Sequence, residues 1–404
     1  MRSLPWSVLI AISALACVSE SRGAPVAAVR DTLPNGTVVV HYAGLQEPQT
    51  APLQIDLRIG VTEGDPHFMF GDIRGVEAGS DGTIYVLDYL ASEIRAFDST
   101  GRYLRTLTRK GQGPGELKAA NGMMLVGDSA LWIQDHGQWM MIAVDLNGEE
   151  LTRFKMPVLS YGYVWSGIID HRGRFWKEVI VSDEPRQYPP KEGLSEDHAR
   201  GYLKSYDPRT ETTDSIYVGD LSYRTLIARN NQGGHSYRAV PYTPRRITVV
   251  DPAGGFWQVS GTAYRIARLD EQGDTALVIE VAADPIPVTD QDRERASKGM
   301  GEESSEQQRL AQQIAGAMPE VKPWITDLVM DDLGHLWAQR TATDGEPATY
   351  DVFRADGGYA GTVTLSFTPY FPIRIRHGRV YGAVRDSLDV PSVVRSEPLP
   401  VFPH

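Results

Sequence analysis

Cysteine is almost missing: Cys17 is the only one in the chain. Without a second thiol no intrachain disulfide forms, so any stability outside the cytoplasm must come from packing. Long apolar runs are missing too, except at the N-terminus, where Leu4–Ala16 follows a single Arg. That run is too short to span a bilayer comfortably and has the layout of a secretory signal peptide. Positive charge is scarce, with 40 Lys and Arg against 52 Asp and Glu, a net charge of −12. No Lys/Arg-rich run occurs, which argues against nucleic acid and against a polybasic membrane contact. The phosphate-loop ending Gly-Lys-Ser/Thr, the Gly-x-Ser-x-Gly elbow, and the HxH and HExxH metal spacings are all missing. The Gly-rich run Gly111–Gly115 contains Pro114 and leads toward a strand, so it reads as a connecting turn.

What is present is a repeat. An apolar residue followed by an aromatic recurs after a tight turn, at Ile84-Tyr85, Leu131-Trp132, Phe175-Trp176, Phe256-Trp257, Leu336-Trp337 and Val380-Tyr381. The aromatics are spaced by 47, 44, 81, 80 and 44 residues. The short spacings match one four-stranded propeller blade, and the long ones require insertions. Asp/Gly turns follow most copies, as at Asp98–Gly101, Asp145–Gly148 and Asp270–Gly273, and suit hairpins. The pattern predicts an all-β chain, a six-bladed β-propeller over 36–404, in preference to a β-sandwich with coincidental repeats. The sixth unit lacks a clear fourth strand, and Thr37–Tyr42 is the expected strand that closes the ring.

Segment 81–117 carries Asp81-Gly82, Ile84-Tyr85-Val86, Asp88, Ile94, Phe97-Asp98, Gly101 and Gly111–Leu117. It resembles the NHL-repeat type of six-bladed propeller, with Ala91 and Glu93 where that pattern has Asn and Arg. The chain is also similar to bacterial secreted and lipoprotein propellers of unassigned role. Residues 14–17, Ala-Leu-Ala-Cys, resemble a lipobox, with Ala14 where Leu is preferred. Lipidation of Cys17 and ordinary signal cleavage both stay open. The expected organisation is a signal segment at 1–17, a linker at 18–35 and the propeller, exported to the periplasm or outer surface.

The long connections, 109–121, 183–201, 221–243, 283–323 and 341–349, all fall on one face, where binding residues concentrate. The 283–323 segment, between blades 4 and 5, is predicted to be helical, with a start at Thr289–Asp292 and an apolar stripe of Leu310, Ile314 and Met318. Alignment on the aromatic landmark places Arg74, Asn121, Trp165, Arg246, Thr326 and Phe371 at the mouth of the channel on that face. Asp327 and Arg374 are expected close by, and Trp324 precedes a first strand there. Arginine is rarely buried unless paired, so these residues are read either as holding a polar or anionic ligand or as pairing among themselves. Phe68, Phe70, Tyr161, Tyr163, Tyr242 and Tyr370 precede first strands and suit either ligand contact or packing between blades.

These features predict a non-catalytic envelope protein that binds a protein partner, peptide or glycan, without a cofactor or resident metal. The membrane is reached only through the anchor at Cys17. The alternative is a metal-dependent lyase or lactonase at the channel mouth, as in related propellers that hold a divalent ion. His67, His136, His198 and His235 are the histidines in loops of that face.

Overall fold

Alternating apolar residues separated by turns every few positions dictate short antiparallel strands, and the computed structural model has them. It describes residues 27–45, 51–156, 169–182, 188–229, 233–298, 305–342 and 346–402. The predicted signal segment, Cys17, Tyr161, Tyr163 and Trp165 lie outside the described residues.

The strands form six blades around one axis. Blade 1 is Ile73–Ala78, Ile84–Asp88, Glu93–Phe97 and Tyr103–Thr106, paired in that order. Blade 2 runs from Ala120–Val126 to Glu150–Lys155, and blade 5 from Ile325–Met330 to Tyr359–Thr364. Blade 4 begins with Ile247–Val250 and ends with Thr275–Val281. The aromatic landmarks fill the spaces between blades: Tyr85, Trp176, Trp257 and Trp337 are all fully buried. Burying one such ring from water is worth about 2–3 kcal/mol, so the repeat is the core itself rather than a decoration.

The same turn chemistry recurs in several blades. Asp98 Oδ1 accepts from the backbone N–H of Thr100 and Arg102, at 2.9 and 3.0 Å. Asp145, Asp270 and Asp386 repeat this bond pair. In blades 3, 4 and 5 an aspartate before the second strand also receives the indole N–H of the landmark tryptophan. The pairs are Asp170–Trp176, Asp251–Trp257 and Asp331–Trp337, at 2.8, 3.2 and 3.1 Å. One buried carboxylate thus shapes the turn and satisfies the only polar atom of the ring.

Three expectations need correction. Thr37–Tyr42 does not close the ring. Val38–Tyr42 pairs in parallel with Thr275–Val281, on the outer edge of blade 4. Burial decides this: Tyr42 is 3% exposed, and its hydroxyl donates to the Gly357 carbonyl of blade 5 at 2.9 Å. Closure falls to Ile55–Ile59, which pairs with Pro391–Ser396 and completes blade 6. In Ile55-Asp-Leu-Arg-Ile59 the apolar residues alternate with charges that the sheet satisfies. Asp56 binds Arg379 and Arg395, and Arg58 donates to Ser392.

The segment 18–35 is not linker throughout, because Ala28–Thr32 is a strand hydrogen-bonded to Val38–Tyr42. Nor are 183–201 and 221–243 loops over their whole length. Gly193–Asp207 and Thr212–Arg229 form a long hairpin joined by His235–Ala239. Extended ribbons satisfy each other's backbone groups, which a loop of that length cannot do for itself.

Two helices, α1 (Asp290–Lys298) and α2 (Ser305–Ala317), lie in the chain between Thr275–Val281 and Ile325–Met330. Thr289 and Asp292 cap α1 reciprocally. Asp292 is buried and bonded to Lys322, also buried, at 2.8 Å. Arg293 donates to the Ala315, Met318 and Pro319 carbonyls at the end of α2. The hairpin reaches the same end, where Arg224 donates to the Ala317 carbonyl at 3.4 Å.

Candidate functional site

The second strand of each of the first two blades ends in a buried aspartate, and these two residues organise the loop-bearing face. Asp88 accepts from the N–H groups of Gly71 and Asp72, at 3.0 and 3.2 Å, and from Leu90 at 3.2 Å. Asp135 accepts from Lys118, Ala119 and Gln138 at 2.6, 3.1 and 3.2 Å. Each carboxylate ties the chain entering its blade to the turn leaving the second strand. The first residues of the inner strands are therefore held rigidly at the mouth.

Arg74 and Asn121 meet there, as predicted from their alignment. Arg74 Nη1 donates to Asn121 Oδ1 at 2.8 Å, and its Nε donates to Asp72 Oδ2 at 2.7 Å. The guanidinium lies over the Tyr89 ring at 4.8 Å, and His136 stacks on the other partner of that pair, Tyr89, at 6.0 Å. Asp72 has a second cation: Arg385 Nη2 donates to its Oδ1 at 3.1 Å. Arg385 in turn lies 4.5 Å over the Tyr370 ring. Tyr370 bonds the backbone of Ile73, and burial pushes its hydroxyl up to about 12. Two guanidiniums, each stacked on a tyrosine, thus share one carboxylate where blades 6, 1 and 2 converge.

Arg374 and Asp327 sit at another level of the channel wall. Arg374 Nε donates at 2.7 Å to Glu77, which is fully buried. Burial pushes the Asp327 carboxyl up to about 6, and the nearby Arg245 and Arg374 offset only part of that effect. Asp327 Oδ1 accepts from the N–H of Leu328 at 2.9 Å.

Arg246 and Trp324 do not join the mouth cluster. The Arg246 side chain is 3% exposed, lies against Gly201 and Gly219, and bonds Glu178 at 3.3 Å and the Asp220 carbonyl at 2.9 Å. Burial pushes the Glu178 carboxyl up, while Arg246 opposes that shift. Trp324 donates to the Asp284 carbonyl at 3.0 Å and packs against Tyr264. Arg246 is thus paired within the protein, one of the two readings of a buried arginine.

The histidines are dispersed. His67 bonds Asp65 at 2.7 Å and stacks on Tyr103, and His198 bonds Ser222 at 2.8 Å. Among the described residues, no group of three or more His, Cys, Asp or Glu side chains is arranged to hold a metal ion. A polar cleft of about 270 Å³ lies between blades 3 and 4, lined in part by Tyr217, Gln258, Ser260 and Arg265. None of the predicted site residues lines it.

Sequence reasoning missed Asp72, Arg385 and Glu77. Asp72 and Arg385 stand 313 positions apart, and only ring closure makes them neighbours. Tyr370 was legible as an aromatic before a first strand, but its arginine partner was not.

The family model that matches part of the chain agrees with this architecture. Residues 63–164 match the model of the DUF5128 family, described as a 6-bladed beta-propeller. No curated protein matches the chain. Among solved structures, a putative exported protein from Bacteroides fragilis NCTC 9343 is 10% identical, with 90% of this chain and 100% of that one covered and a TM-score of 0.44. A DUF4221-family member from Bacteroides vulgatus ATCC 8482 is 9% identical, with 85% and 97% covered and a TM-score of 0.47. Virginiamycin B lyase from Staphylococcus aureus is 8% identical, with 84% and 98% covered and a TM-score of 0.38. The six-bladed propeller read from the repeats is borne out.

Proposed function

We propose that this chain is an exported, non-catalytic propeller of the NHL-repeat type. It binds a ligand or protein partner in the cell envelope through its loop-bearing face. The observation that carries this reading is the mouth cluster of Arg74, Asp72, Arg385 and Asn121, with Tyr89 and Tyr370 beneath the guanidiniums. Rigid, part-exposed polar groups on aromatic supports are what a recognition surface needs, because little side-chain entropy is lost on binding. The helical insertion between blades 4 and 5 and the ribbon of blade 3 enlarge the same body. The apolar N-terminal run supports export, and Cys17 is the proposed point of lipid attachment.

A ligand that binds only the folded chain raises its unfolding free energy by about 2.7 kcal/mol at a hundred times its dissociation constant. Thermal unfolding of residues 24–404 against panels of envelope peptides and glycans is expected to give such a shift for at least one class. The shift is expected to disappear in Tyr89→Ala or Tyr370→Ala. A hit indifferent to both substitutions places binding elsewhere. Near-stoichiometric zinc, calcium or manganese retained through dialysis would overturn the non-catalytic reading.

A further inference from the structure

Resting on that reading, we infer that the mouth takes an oxyanion, a carboxylate or phosphate group of the ligand, and that Asp389 occupies this position in the free protein. Arg385 makes two contacts in the turn that follows its strand. Its Nη1 donates to the Asp389 backbone carbonyl at 3.0 Å and lies 3.3 Å from the Asp389 carboxylate. The Asp389 side chain is 81% exposed, so this ion pair is open to water. Asp72, the other acid on Arg385, is 15% exposed and is held by Arg74 as well. One carboxylate is therefore built into the site, and the other merely rests on it.

Charge gives the sign of the ligand. With Asp389 swung away, two guanidiniums face the single carboxylate of Asp72, an excess of one positive charge. Among the described residues, the hydrogen bonds of Arg74 use Nε and Nη1, and those of Arg385 use Nη1 and Nη2. Arg385 Nη1 is the donor that the Asp389 carboxylate would vacate for the ligand, and Arg74 Nη2 is left over beside it in this cluster. A guanidinium presents its donors in a fixed fork that matches carboxylate and phosphate oxygens. Stacking on Tyr89 and Tyr370 fixes both planes before any ligand arrives. The turn leaves the acid's side chain free to move: Asp389, at φ +64°, contributes its backbone N–H to the Asp386 carbonyl, while the Asp386 carboxylate takes the Leu388 and Val390 N–H groups.

The test is calorimetric titration of residues 24–404 at low ionic strength, with succinate in one arm and inorganic phosphate in the other. Saturable one-site binding of either probe is expected, and the arm that binds more tightly identifies the group carried by the natural ligand. Asp389→Asn removes a competing exposed acid and is expected to tighten binding about 2- to 5-fold, the worth of an exposed ion pair. The double substitution Arg74→Ala, Arg385→Ala is expected to weaken binding at least about 10-fold. Arg74→Lys with Arg385→Lys keeps the charge and the fold but loses the fork, and is expected to weaken binding by a smaller factor. Binding by neither probe, or no tightening in Asp389→Asn, overturns the inference. Asp389 is exposed, so its substitution leaves folding intact and the result interpretable. A neutral peptide or glycan that stabilises the chain while both anions fail would leave the binding function standing and remove only this inference.

Discussion

Asp327 offers a direct check on the physics of the channel wall. Its carboxyl is held at about 6 by burial, against about 3.9 for an aspartate free in water, as in the unfolded chain. Between those values the folded protein keeps a proton that the unfolded chain has already released. Stability is therefore highest on the acid side of this window and falls as the pH rises through it. The difference between the two values corresponds to about 3 kcal/mol, all of it lost once the pH exceeds the folded value. Asp327→Asn cannot titrate, and its Oδ1 still accepts from the N–H of Leu328. The variant is expected to gain on the wild type from pH 4 upward and to level off, above about pH 6.5, at roughly 3 kcal/mol of relative stabilisation. In thermal unfolding this amounts to about 4 °C for a chain of this size. Urea unfolding of both proteins at half-unit steps from pH 4 to pH 8 measures the difference directly, because the titration of every other carboxylate cancels. A difference that does not change with pH, or one that favours the wild type at high pH, would refute the burial argument.

Three further expectations follow from the packing. Arg374→Met strands the buried Glu77 without its cation and is expected to cost about 3–5 kcal/mol, most of which Glu77→Leu in the same chain should restore; urea unfolding of the single and double variants decides this. Asp331→Ala removes the acceptor for the buried Trp337 indole and for the Leu333 and His335 N–H groups. A loss of about 2–3 kcal/mol is expected, with a smaller loss for Asp331→Asn, read by tryptophan fluorescence during denaturation. Gly255 and Gly334 both stand at positive φ, but a Cβ at Gly255 would fall on the Leu269 carbonyl while Gly334 faces open space. Gly334→Ala should therefore cost about 1 kcal/mol and Gly255→Ala at least about 3 kcal/mol, compared by their melting temperatures.

The fold was legible because its determinants are local. A landmark aromatic and a run of alternating residues lie within one unit, and most copies add an Asp/Gly turn, so the copies state the same structure largely independently. Where the reading failed, the deciding contact was distant. Val38–Tyr42 and Ile55–Ile59 are both good strands in isolation. Only the Gly357 turn under Tyr42 and the Arg379 and Arg395 side chains around Asp56 assign them to different blades. The same limit applies to the site. Arg74 and Asn121 could be aligned because they occupy equivalent places in adjacent repeats. Arg385 and Glu77 could not, since their roles depend on which blades become neighbours. Arg246 shows the converse: its alignment was sound, but two glycines and Glu178 absorb the side chain.

The seam formed by Ile55–Ile59 and Pro391–Ser396 also governs when this protein can become itself. The closing strand and its partner stand far apart along the chain, with the Gln54–Glu397 contact spanning 343 positions. Until that partner emerges, the chain exposes an unpaired edge and the apolar flank of blade 1. Pairings of such high sequence separation form slowly and leave aggregation-prone intermediates in the meantime.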